Sequence, residues 1–161
     1  MSGVLESQGR KDFALNILLV DDNEADVKIA LRAFGQARLK NRVFVAYNGQ
    51  ECVDFVRHQG AFSDEASHPR PDLILLDISM PVMDGFGVLK ELKGDETLRS
   101  IPIVIMTGSN NENDICRSYA GGANSFIRKP VTYEEFVKVV EGFNQYWHMI
   151  NTLPGCKDRM E

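Results

Sequence analysis

The sequence predicts an α/β protein: a doubly wound parallel sheet of five strands in the order 2-1-3-4-5, enclosed by helices. Three observations lead there. Short apolar runs alternate with helix-forming segments five times along the chain, which calls for a parallel sheet with helices on both faces and right-handed crossovers. One run, Leu73 to Leu76 within DLILLDISMPVMDG, is apolar without interruption and enters Asp77 before Pro81, Asp84 and Gly85 turn the chain. That is the pattern of a strand buried on both faces. Finally, hydrophilic residues stand just past four of the runs, namely Asp21 and Asp22, Asp77, Thr107 and Lys129. A parallel sheet gathers such positions on its carboxyl edge, where ligands and chemistry collect.

Residues 1–14 are polar and read as a mobile tail ahead of the domain. Asn16 to Val20 (NILLV) is the first strand, followed by a helix over about 24–37 with Val27, Ala30, Leu31 and Phe34 at helical spacing. Val43 to Ala46 is the second strand. Asn48 and Glu51 stand at capping-box spacing before a helix carrying Cys52, Val53 and Val56. Gly60 to Asp72 is a polar connection, longer than usual for such folds, and reads as either a binding loop or a tolerated insertion, the second being favoured. After the third strand, Phe86, Leu89 and Leu92 mark a short helix that ends near Gly94. Pro102 to Met106 is the fourth strand. A mostly polar helix over about 112–120 has Ile115 and Tyr119 as its clear apolar pair. Ser125 to Arg128 is the fifth strand, and Thr132 with Glu135 opens a last helix over 132–150. The domain is thus expected at 15–150, with 151–161 as a second tail.

Composition narrows the function. The chain has 161 residues and a net charge of −5, so nucleic acid is a poor partner for want of a basic face. No apolar run has membrane-spanning length and the N-terminal segment lacks a signal-peptide core, so a cytoplasmic protein with no membrane partner is expected. Cys52, Cys116 and Cys156 are widely spaced and form no CxxC, which speaks against zinc and against a disulfide framework.

An acid after a strand is usually a cap or turn former. Acids, a hydroxyl and a lysine on one sheet edge are another matter. With strand order 2-1-3-4-5, Asp21, Asp22 and Asp77 come from neighbouring strands and would repel one another unless a cation sits among them. A hard divalent ion suits that donor set, and Mg²⁺ suits it best because it keeps several waters. Lys129 and Thr107 on the other flank suit the oxygens of an anion that shares the metal. This is a phosphoryl site, with the Asp77 carboxylate as acceptor.

Taken together, VDDNE at the first strand, LLDISMPVMDG at the third, MTGS at the fourth and SFIRKP at the fifth resemble the receiver domains of two-component response regulators, over about residues 15–150. The resemblance implies a flavodoxin-like fold with Asp77 as phosphoacceptor. It implies Mg²⁺ held by Asp21, Asp22, Asp77 and the backbone carbonyl of Ser79, with Lys129 on the phosphoryl group. Thr107 becomes the switch hydroxyl and Phe126 the switch aromatic, in place of the commoner Tyr. A sensor histidine kinase is the implied donor and protein contacts the implied output. Ser79 and Ser109 occupy positions that tend to set the lifetime of the aspartyl phosphate, and the Lys129–Pro130 bond is one that is often cis in the family.

Rival readings fit less well. A haloacid-dehalogenase-type phosphatase also uses an Asp nucleophile, but needs a second Asp where this chain has Ser79. A flavodoxin would want an acid-free, hydroxyl-rich loop where this chain has VDDNE. A receiver-like module that binds partners without phosphorylation would have no need of the full residue set. The residues after Ile150 are too few for an output domain, so the signal is expected to pass to a docked protein, a kinase or a second copy. The long loop, Tyr146, Trp147 and the NTLP that follows resemble the single-domain regulators paired with bacterial and cyanobacterial phytochromes. The stripe Phe136, Val139, Val140, Phe143, Trp147 and Ile150 runs past the length of the strands, which predicts a homodimer on the last helix and tail, with Phe143, Trp147, Ile150 and Leu153 in the contact, the alternative being a tail folded back over its own domain.

Overall fold

The computed structural model describes residues 15–37, 41–109, 111–129 and 132–145. The expected tails, the Lys129–Pro130 bond, Trp147, Ile150 and Leu153 lie outside them. Five strands, β1 (Asn16–Val20), β2 (Arg42–Ala46), β3 (Leu73–Leu76), β4 (Ile103–Thr107) and β5 (Ser125–Arg128), alternate with α1 (Glu24–Gln36), α2 (Gly49–Val56), α3 (Gly85–Lys93), α4 (Glu112–Ala120) and α5 (Tyr133–Gln145). All strand pairs are parallel, in the order β2-β1-β3-β4-β5. The predicted fold class is therefore the observed one.

Alternation of side chains along each strand divides the core in two. On one face Leu18, Val20, Ile74, Leu76, Ile103 and Ile105 pack with α2 and α3. On the other, Ile17, Leu19, Leu73, Leu75, Val104 and Met106 pack with α1 and α5. β3 lies in the middle, and all four of its residues are fully buried, as an uninterrupted apolar run requires.

The caps fix where helices begin. Asn23, Asn48 and Asp84 each accept a hydrogen bond from the backbone N–H three residues on. Glu51 reaches back to the N–H of Tyr47, completing the predicted capping box one residue beyond the cap, and Thr132 accepts from the Glu135 N–H. β4 begins at Ile103, not Pro102, because proline has no N–H for the ladder; its carbonyl still accepts from Ile74. Thr107 is accordingly the last residue of β4, paired with Arg128, and not the first beyond it.

Two helix faces differ from expectation. Leu31 is exposed, and Ala33 takes its place in the core. On α4 the buried residue is Ser118, whose hydroxyl bonds back to the Asp114 carbonyl, while Tyr119 stands half exposed. The long connection after α2 contains a 3₁₀ turn, Gly60–Phe62, and folds back on the domain. Phe62 and His68 both contact Phe55, with ring centroids 5.3 and 5.4 Å away, so the connection is anchored on the core.

Candidate functional site

Asp21 and Asp77 each follow a strand directly, and the ladders continue through both. The Asp77 N–H donates to the Val20 carbonyl at 3.0 Å and the Asp21 N–H to Ala46 at 3.1 Å. β1 and β3 are neighbours in register, Val20 beside Leu76, so the two acids are placed side by side on the carboxyl edge. Lys129 extends β5 in the same way, its N–H donating to the Thr107 carbonyl at 2.8 Å.

The turn after β3 holds Asp77 in place. The Ile78 N–H donates to Asp77 Oδ1 at 2.8 Å. Gly85 opens α3 directly over this turn, its N–H on the Ile78 carbonyl, and a Cβ there would stand 2.6 Å from the Asp77 carbonyl oxygen. Only glycine allows that approach. The MDG of the sequence motif is therefore a cap (Asp84) and a close backbone contact (Gly85) that together seat the acid.

Asp21, Asp22 and Asp77 each offer a carboxylate oxygen within 4.8 Å of the others, with Asp21 and Asp77 buried and Asp22 exposed. The Lys129 ammonium lies against this group, 2.7 Å from Asp21 Oδ2 and 3.4 Å from Asp77 Oδ2. It also meets a carboxylate that sequence reasoning missed, Asp26 Oδ2 at 2.9 Å. Three carboxylates thus surround one ammonium. Burial outweighs everything else on Asp21 and raises its pKa; the hydrogen bond from Lys129 and the Asn23 N–H oppose that rise, and the charge of Asp77 adds to it. Burial acts on Lys129 in the opposite sense, but the hydrogen bonds to Asp21 and Asp26 and the charge of Asp77 prevail and hold its pKa above the ordinary lysine value.

The donor set tests well against a divalent cation. Three clustered oxygens with excess negative charge suit a hard ion, and the exposure of Asp22 leaves room for the ion's water. Ser79, two residues past Asp77, is exposed on the same turn. Thr107 is buried at the end of β4. Phe126, partly buried on β5, packs against the α2–α3 side of the core, and its N–H donates to the Tyr119 hydroxyl at 3.1 Å. Ser109 does not stand free: its hydroxyl donates to Asp114 at 2.7 Å.

Comparison with known proteins agrees with this arrangement. Residues 17–141 match the family model of the response regulator receiver domain. The chain is 33% identical over 140 residues to the response regulator Rcp1 of Synechocystis sp., covering 87% of this chain and 93% of that one. A probable methanogenesis regulatory protein, FilR2 of Methanothrix harundinacea, is 35% identical over 140 residues, covering 86% and 87%. Among solved structures, the phosphorylated cyanobacterial phytochrome response regulator RcpA superposes with a TM-score of 0.81 at 35% identity, over 89% of this chain and all of that one. The Mn²⁺-bound form of Rcp1 superposes with a TM-score of 0.77 at 33% identity, over 88% and 99%. With a crowded acid cluster, a lysine and a buried threonine on the edge of such a sheet, the chain belongs to the response regulator receiver domains.

Proposed function

We propose that Asp77 is the phosphoacceptor of a single-domain response regulator occupying residues 15–150 in the cytoplasm. A carboxylate oxygen of Asp77 attacks the phosphorus of a phosphohistidine on a sensor histidine kinase. The P–N bond breaks, the imidazole leaves, and an acyl phosphate remains on Asp77. The observation that carries this reading is the position of the Lys129 ammonium, which touches Asp77 and Asp21 together and so stands beside the place a phosphoryl group would take.

Asp21, Asp22, Asp77 and the Ser79 carbonyl would hold Mg²⁺, which when bound offsets the charge of the phosphoryl oxygens. Lys129 orients and neutralises a further phosphoryl oxygen. The Thr107 hydroxyl follows the new acceptor oxygens, and Phe126 moves in response, working by burial since it has no hydroxyl. The likeness to RcpA, a phytochrome response regulator, and to the bacteriophytochrome response regulator AtBRR (36% identical, TM-score 0.69, covering 87% of this chain and 99% of that one) supports a phytochrome-class kinase as donor. The apolar spacing of α5 and the residues beyond it supports a homodimer through Phe143, Trp147, Ile150 and Leu153. Phosphorylation would then act on protein contacts.

The test is acetyl phosphate with and without Mg²⁺, read by intact mass. The full chain should gain one phosphoryl group only with the metal, and Asp77→Asn should gain none. An Asn variant that gains it equally sinks the assignment.

A further inference from the structure

Asp26 occupies the third position of α1, where the sequence pattern Asn23-Glu24-Ala25-Asp26 reads as a capping box. Its backbone plays that part, donating to Asn23 Oδ1 at 3.1 Å. Its carboxylate does not. It lies 2.9 Å from Lys129 Nζ, closer than the 3.4 Å of Asp77, and lines the same small crevice as Asp21, Asp77 and Lys129. Of the four carboxylates at the site, Asp26 is outside the cluster suited to a cation. Among the described residues, its carboxylate contact is with Lys129.

Resting on the phosphoacceptor reading, we propose that Asp26 is a positioning residue that holds Lys129 on the α1 side in the resting state and competes with the phosphoryl group for it. An ammonium has three hydrogens, and here three carboxylates are arrayed around it. A phosphoryl group on Asp77 brings further acceptor oxygens and about one more negative charge, so one of the present contacts must loosen. Asp21 is the shortest contact and is drawn toward the cation as well, which leaves Asp26, one-third exposed, as the one displaced. Removing its charge leaves Nζ still anchored by Asp21 while lifting a repulsion from the arriving anion. Loss of Asp26 should therefore strengthen the binding of a phosphoryl group, not weaken it.

The experiment measures the binding of beryllofluoride, a phosphoryl mimic, to the full chain at saturating Mg²⁺ by calorimetry. Asp26→Asn should bind about threefold to tenfold more tightly than wild type, the scale of one unit charge partly screened at this range. Asp26→Glu, which keeps the charge, should stay near wild type. Glu24→Gln removes a charge from the same helical turn without touching the lysine and should also stay near wild type. Unchanged or weaker binding by Asp26→Asn overturns the role of Asp26, as does an equal gain in either control. Wild type that fails to bind beryllofluoride overturns the phosphoacceptor reading itself, and the role of Asp26 with it.

Discussion

Replacing Asp22 by Asn should stabilise the metal-free protein and at the same time reduce what Mg²⁺ adds. Asp22 is the cleanest of the three acids to change, because it is exposed and is not among the described carboxylates on Lys129. Its oxygen lies within 4.8 Å of an oxygen of Asp21 and of Asp77. Two unit charges at that distance repel by about 1 kcal/mol at the dielectric constant of water and about 3.5 kcal/mol at an effective value of 20. Exposure puts Asp22 near the lower figure, so the two repulsions together amount to about 2 kcal/mol. Against this, an acid beside the N-terminus of α1 contributes about 0.3–1 kcal/mol through the helix dipole. The net gain is about 1 kcal/mol, or about 2–4 °C in Tm for a chain of this size.

With Mg²⁺ at ten times its Kd, wild type gains about 1.4 kcal/mol by mass action. A tenfold weaker site in Asp22→Asn gains only about 0.4 kcal/mol at the same concentration. Thermal melts should therefore show the variant ahead by about 2–4 °C in EDTA, and the two proteins level in Mg²⁺. A variant that melts lower in EDTA, yet gains as much from Mg²⁺ as wild type, would show that Asp22 serves the helix and not a cation.

Two further outcomes follow from the same geometry. Thr107→Ala should still take the phosphoryl group, but phosphorylation should no longer alter amide exchange along β5, including the Phe126 N–H that the Tyr119 hydroxyl accepts; an exchange response equal to wild type would place the switch elsewhere. The full chain should scatter light as a dimer and a version ending at Gln145 as a monomer, and a full chain that stays monomeric at all concentrations ends the dimer proposal.

The fold was legible because each strand carries its own boundary. Leu73 to Leu76 needs both faces covered, and the acid after it can neither continue the core nor leave the sheet edge. Asp21, Asp77, Thr107 and Lys129 were readable as neighbours for the same reason, since parallel strands in register bring their ends together whatever the side chains do. Asp26 was not readable. Its spacing from Asn23 satisfies a local rule completely, so nothing in the sequence asks for a distant partner; only the approach of α1 to the end of β5 supplies one. Tyr119 failed differently. Period alone counts it as apolar, yet α4 packs lightly and Ser118 is small enough to take the inner position, which leaves the ring at the rim with its hydroxyl over the edge strand.

That last contact bears on how a signal would leave the site. β5 is an edge strand, and the outward N–H of Phe126 would otherwise be open to solvent or to another chain. The Tyr119 hydroxyl accepts it instead and so ties α4 to the residue assigned as switch aromatic. On the inner side β5 pairs with β4, where Phe126 sits opposite Ile105, two residues before Thr107. The ladder continues from Thr107 to the backbone of Lys129, whose side chain reaches Asp77. A pull on Thr107 or Lys129 is therefore applied to the strand that α4 holds from outside. Lys129 just past the end of β5 meets the acid cluster, and Phe126 within the strand meets α4, so a few residues of one strand join the two places.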